Sequence, residues 1–146
     1  MNIYERLIQE HDNQKKLAKQ IMETTGDSPE RHQLFTQFKT EAVAHANAEE
    51  QTLYADLIER PESQEQIRHS ISEHKEADDL ITELAEMDMS SSEWIQKFEK
   101  LKDDLEHHID EEEEDVFDLA KNLLSKEEAN ELTLQFDERK QDEKAA

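Results

Sequence analysis

Apolar residues recur at spacings of three and four in four successive stretches of the chain, the pattern of helices that each bury one face. The first stripe runs Tyr4, Leu7, His11, Gln14, Ala18, Ile21, and the second Leu34, Phe38, Ala42, His45, Glu49, Thr52. The third is Ile67, Ile71, His74, Asp78, Ile81, and the fourth Trp94, Phe98, Leu101, Leu105, His108, Glu112, Val116, Leu119. Breaks fall at Gly26-Asp27-Ser28-Pro29, at Pro61, at Met89-Ser90-Ser91-Ser92 and at Leu124-Ser125. Gly26 suits a C-terminal cap, Ser28 with Pro29 an N-cap and first helical position, and Ser125 with Glu128 a capping box. The predicted helices therefore span about 2–25, 29–60, 63–87 and 92–123, with a short amphipathic helix from about 126. Such short connections force neighbours to run antiparallel. The expected fold class is all-α: an up-down-up-down antiparallel four-helix bundle over 1–125, and a short C-terminal helix or tail over 126–146 that packs weakly and carries no chemistry.

Composition narrows the partners. With 17 basic and 39 acidic side chains the formal charge is −22, so the surface repels phosphate backbones and anionic lipid, and neither nucleic acid nor membrane is expected as a partner. No apolar run approaches the length of a spanning helix and no charged-then-apolar leader opens the sequence, so a cytoplasmic location is expected. Cysteine is absent, which removes disulfides, thiolate metal sites and thiol catalysis together.

The stripes are interrupted by polar groups, and each carries one histidine. His11 lies 15 residues before Gly26 and His45 lies 16 after Pro29, while His45 and His74 stand 16 and 13 residues either side of Pro61. His74 and His108 stand 15 and 19 residues either side of Met89. At a rise of about 1.5 Å per residue, the four histidines meet near one level of the bundle. Glu49 and Glu112 each follow a histidine by four residues and share its helix face. Burying two carboxylates without cations would cost several kcal/mol each. A pair of metal ions would neutralise them, and imidazole plus carboxylate without thiolate suits iron, manganese or zinc.

Helical phase selects among the other histidines. His69 precedes His74 by five residues and lies about 140° from the stripe, so it is expected at the surface. His107 flanks the fourth stripe and could support the centre from outside, and His32 sits far from the cluster level. Asp78, Glu50, Glu111 and Glu113 are alternative or additional ligands by position, and Tyr54, Phe38 and Trp94 read as core.

The order histidine, His-x-x-x-Glu, histidine, His-x-x-x-Glu, one element per helix, resembles the hemerythrin-like, or HHE cation-binding, family over about residues 3–123. The segment from His107-His108 through Glu111-Glu112-Glu113-Glu114 to Val116-Phe117 is similar to that family's last-helix motif, and His45-Ala46-Asn47-Ala48-Glu49-Glu50 to its second-helix motif. The resemblance implies a non-haem di-iron centre, two iron ions bridged by Glu49 and Glu112, with His11, His45, His74 and His108 as terminal ligands. Oxygen-carrying hemerythrins place a second histidine one turn away on the third helix, where this chain has Ser70 and Asp78. That departure turns the expectation from oxygen carriage toward binding or sensing a small diatomic or peroxide ligand, oxygen, peroxide or nitric oxide. Two other readings stand beside it: redox turnover at the same centre, as in peroxide decomposition or a nitric oxide and iron stress response, and an acidic bundle holding only a structural metal. Ferritin-like di-iron bundles use Glu-x-x-His, and no histidine here has Glu three residues before it.

Overall fold

The computed structural model describes residues 1–146 and is helical almost throughout. Its elements are α1 (Ile3–Met22), α2 (Pro29–Gln51), a short α3 (Leu53–Leu57), α4 (Gln64–Glu86), α5 (Ser92–Glu111), α6 (Phe117–Leu123) and α7 (Lys126–Ala145), with a π-turn over Glu112–Val116 joining α5 to α6. The expected punctuation is present. Ser28 caps α2 by accepting from the Arg31 N–H with Pro29 at the first helical position, Ser125 and Glu128 form a reciprocal capping box, and Gly26 adopts a φ of +58° beyond α1.

Two apolar cores sit at the ends of the bundle, and the polar layer lies between them. One gathers Ile3, Leu7, Tyr54, Ile67, Phe117 and Phe136, and the other gathers Ile21, Phe35, Phe38, Ile81, Trp94 and Phe98. In the second, the Trp94 ring stacks on Phe98 at 5.5 Å and its N–H donates to the Leu84 carbonyl at 3.0 Å. Arg31 is buried beside it, donating to Thr24 Oγ1 at 2.8 Å and to the Thr24 and Met89 carbonyls at 2.7 Å each. It thereby ties the connection after α1 to the connection after α4. Replacing Arg31 with methionine leaves two buried carbonyls without donors, and a loss of about 3 kcal/mol is expected in urea denaturation, with metal content unchanged because the residue lies at the far end of α2. Equal midpoints would contradict this role.

Three departures from the sequence expectations have physical causes. The second helix does not run to residue 60: it breaks at Thr52, whose hydroxyl donates back to the Ala48 carbonyl at 2.7 Å, and α3 restarts with a changed phase. In the fourth helix the Phe117 N–H reaches the Glu112 carbonyl five residues back, so Val116, Phe117 and Ala120 turn inward while Leu119 is only half-buried. The segment from Lys126 is a helix of 20 residues, not a short or weakly packed tail. It lies across α1 and α2 and buries Ala129, Leu132, Phe136 and Lys140 at spacings of three and four.

Candidate metal centre

α1, α2, α4 and α5 deliver His11, His45, His74 and His108 to one level, as the chain distances predict. The rings of His11 and His45 lie 5.3 Å apart and those of His74 and His108 4.7 Å apart. Glu49 and Glu112 enter between the two pairs. Glu49 Oε1 is 3.7 Å from His45 Nε2 and 3.2 Å from His74 Nε2. Glu112 presents Oε1 to His11 Nε2 at 3.5 Å and Oε2 to His108 Nε2 at 3.2 Å. Each carboxylate therefore faces one histidine of either pair. Two donor groups result, Glu49, His74, His108 and Glu112 on one side and His11, His45 and Glu49 on the other.

All six residues are buried, yet His11 Nε2, both oxygens of Glu49 and Glu112 Oε1 lack a hydrogen-bond partner. Buried polar atoms are ordinarily satisfied, so orphans converging from four helices fit a bound cation pair. The chemistry of the donor set agrees: neutral imidazoles and carboxylates suit borderline first-row ions.

A second layer fixes the rings. Nδ1 of His45 faces Glu10 at 3.2 Å, Nδ1 of His74 faces Glu50 at 3.0 Å, Nδ1 of His108 faces Glu73 at 2.9 Å and Nδ1 of His11 faces Glu113 at 2.7 Å. Every ring thus donates its outer N–H to a carboxylate and turns Nε2 inward, the arrangement that orients imidazole ligands and raises their basicity. The acids close a circle: the one on α1 serves α2, the one on α2 serves α4, the one on α4 serves α5, and Glu113, just beyond α5, serves α1. Each also adjoins a residue of the inner set in sequence, namely His11, Glu49, His74 and Glu112.

Without metal, protons balance the charge. Burial, with Glu112 alongside, raises the Glu49 carboxyl well above its ordinary value. Glu112 is lowered despite its burial, by the Glu49 carboxyl, His108 and His11 that surround it. Burial opposes charge on His11 and His108, but Glu112 with Glu113 raises the first to about 10, and Glu112 with Glu73 raises the second to about 9. His45 goes the other way, to about 4, because its burial and the repulsion of His11 outweigh Glu10.

Sequence reasoning missed Tyr54, Glu10 and Glu73, the last of which holds His108. Tyr54 is fully buried, donates its O–H to Glu112 Oε2 at 2.6 Å and stacks on the His74 ring at 5.3 Å. The break at Thr52 brings it there, which uniform helical phase cannot show. Glu10 bridges His45 to Lys140 on α7, whose Nζ donates to it at 2.6 Å and to Glu41 at 2.7 Å. These hydrogen bonds hold the Glu10 carboxyl well below its usual range although burial opposes it. Of the alternative ligands, Glu50 and Glu113 support histidines, Asp78 is exposed, and Glu111 turns to the outside with His69 and His107. His32 pairs with Asp27 at the surface.

A cavity of about 640 Å³ opens over the centre between α2, α4 and α5. Its floor includes the four histidines and its walls include Ala42, Val43, Ala77, Ile81 and Leu105. Gln14 also lines it, buried, with its Nε2 unpartnered.

The family described as Hemerythrin HHE cation binding domain matches residues 2–120. The crystal structure of a Hemerythrin HHE cation binding domain-containing protein from Mycobacterium kansasii is similar, with a TM-score of 0.88 and 27% identity over 99% of this chain and 88% of that one. No curated protein matches the sequence significantly.

Proposed function

Because the chain belongs to the hemerythrin HHE cation-binding domain family, we propose that it is a non-haem di-iron protein. In this reading, a carboxylate-bridged centre binds or senses a small ligand: oxygen, peroxide or nitric oxide. The observation that carries the reading is the uniform orientation of the four imidazoles, each with Nδ1 on a carboxylate and Nε2 aimed at Glu49 or Glu112. His11, His45, His74 and His108 would hold the ions terminally, with Glu49 and Glu112 between them. When bound, such a pair supplies Lewis acidity and one-electron redox chemistry at an open position.

The chain's own groups then have definite tasks. The second-layer acids keep the imidazoles in the tautomer that offers Nε2. Tyr54 donates its O–H to Glu112, and its phenol stays protonated because burial, with Glu112 and Glu49 alongside, raises it. The unspent N–H of Gln14 faces the cavity over the centre, where it can donate to a ligand that carries an acceptor atom. Loading displaces protons from Glu49, His11 and His108, so affinity falls on acidification.

An anaerobic preparation analysed for metal tests the proposal. About two irons per chain are expected, with absorption that changes on exposure to oxygen, peroxide or nitric oxide, and His45→Ala and Glu112→Ala should lose iron while remaining helical. Equal iron in all three proteins would refute it. Sustained peroxide consumption in the same preparation would favour redox turnover over ligand binding.

A further inference from the structure

The outer surface of α4 and α5 carries a second gathering of metal-type donors outside the six inner residues of the buried centre. His69 and Glu73 are one turn apart on α4, and His107 and Glu111 are one turn apart on α5. The two pairs face each other. His69 Nε2 lies 3.0 Å from Glu111 Oε1 and 3.5 Å from Glu73 Oε2, while His107 Nε2 lies 3.3 Å from Glu111 Oε2 and 4.0 Å from Glu73 Oε2. The four groups alternate imidazole and carboxylate around a ring.

Those separations fit an ion. A tetrahedral cation with ligand distances of about 2.0–2.2 Å holds its donors about 3.3–3.6 Å apart along each edge. Donor atoms of His69, Glu73 and Glu111 lie within 4.8 Å of one another, with His69 Nε2 at 3.0 and 3.5 Å from the two carboxylates; His107, which meets the other oxygen of Glu111 at 3.3 Å, joins them by rotation of its exposed side chain. Access is open as well: the two imidazoles are 53% and 72% exposed, while the carboxylates beneath them are largely covered. A hydrated ion reaches this ring without any opening of the bundle.

We propose that His69, Glu73, His107 and Glu111 form a separate, mononuclear surface site for a divalent first-row transition-metal ion. Two nitrogen and two oxygen donors without thiolate suit zinc, cobalt, iron(II) or manganese in the order of general affinity for such ligands. The site is joined to the buried centre by one side chain: Glu73 turns Oε2 to the surface ring and accepts from His108 Nδ1 with Oε1 at 2.9 Å. An ion held outside therefore draws on the carboxylate that orients His108.

Titration of the metal-free full-length chain with Co²⁺, followed by calorimetry and by visible absorption, tests the site. The wild type should take about three ions, the His69→Ala/His107→Ala double variant about two, and a His32→Ala control about three, all with unchanged helicity. The removed histidines are exposed, so folding is not at stake. A double variant that binds as many ions as the wild type, with the same affinities, would overturn the proposal. The buried pair is read separately through Glu49→Gln, which should keep one ion. If the wild type binds a single ion that the double variant loses, the surface site stands and the buried-pair reading falls.

Discussion

Replacing Glu49 with glutamine is expected to empty the buried centre of its metal pair and, in the metal-free protein, to raise stability by about 2 kcal/mol. Glu49 is completely buried, lies against Glu112 and has no partner for either oxygen. Its carboxyl is raised well above its ordinary value by burial and by Glu112, so at neutral pH the folded chain carries a penalty that the unfolded chain does not. Protonating such a group at pH 7 costs about 3 kcal/mol. Glutamine donates to Glu112 without that cost. With metal the order reverses, because each ion at a thousandfold excess over its Kd stabilises the wild type by about 4 kcal/mol.

The pH dependence has a definite sign. The Glu49 penalty grows as pH rises above 4.5, and the stabilisation from His11 and His108, complete below 6.5, is lost as pH rises through about 9 to 10. Metal-free wild type should therefore weaken steadily toward alkaline pH, and the variant less steeply. Urea denaturation at pH 6 and pH 9 with chelator, repeated with metal, measures all of this. A variant less stable than wild type without metal would show that the two carboxylates do not oppose each other.

The second large effect is expected at Lys140, more than 90 residues from either of the acids it joins. Its ammonium is buried between Glu10 and Glu41, and Glu10 holds His45. Lys140→Met removes the cation that two carboxylates share, of which Glu41 keeps Lys144 at 2.7 Å, and removing one partner from a buried ion pair costs about 3–5 kcal/mol. Arg6 remains on Glu10 at 2.9 Å, which places the expected loss near the lower end, about 3 kcal/mol. Metal affinity should fall about 10- to 100-fold, as when a carboxylate behind a ligating histidine is disturbed. Thermal melts with and without metal, together with proteolysis at the Leu124-Ser125 junction, check both parts. Unchanged metal affinity would show that α7 is uncoupled from the centre.

What was legible in the sequence followed from regular geometry. Rise per residue put His11, His45, His74 and His108 at one height, and phase separated His74 from His69 and His108 from His107. What was illegible lay where regularity fails. Thr52 and the π-turn reset the phase, so Tyr54 and Phe117 reach the centre by routes a fixed 100° step does not trace; Phe117 stacks on the His11 ring at 6.4 Å. Glu10 and Glu73 were hidden among 39 acids, where an acid near a histidine distinguishes nothing. α7 was misjudged because its hold on the bundle combines a thin apolar stripe with ion pairs to Arg6, Glu10 and Glu41.

The circle of second-layer acids bears on how the chain finds one alignment. Two apolar ends of similar character would let a helix slip by a turn, about 5.4 Å, and still bury hydrocarbon. In the circle each of the four helices both gives an acid and receives one. A slipped helix would therefore break two contacts at once and set an imidazole and a carboxylate against apolar neighbours on both sides. The same residues that aim the imidazoles inward also act as a register key, making the misaligned bundles poor competitors during folding, before any ion arrives.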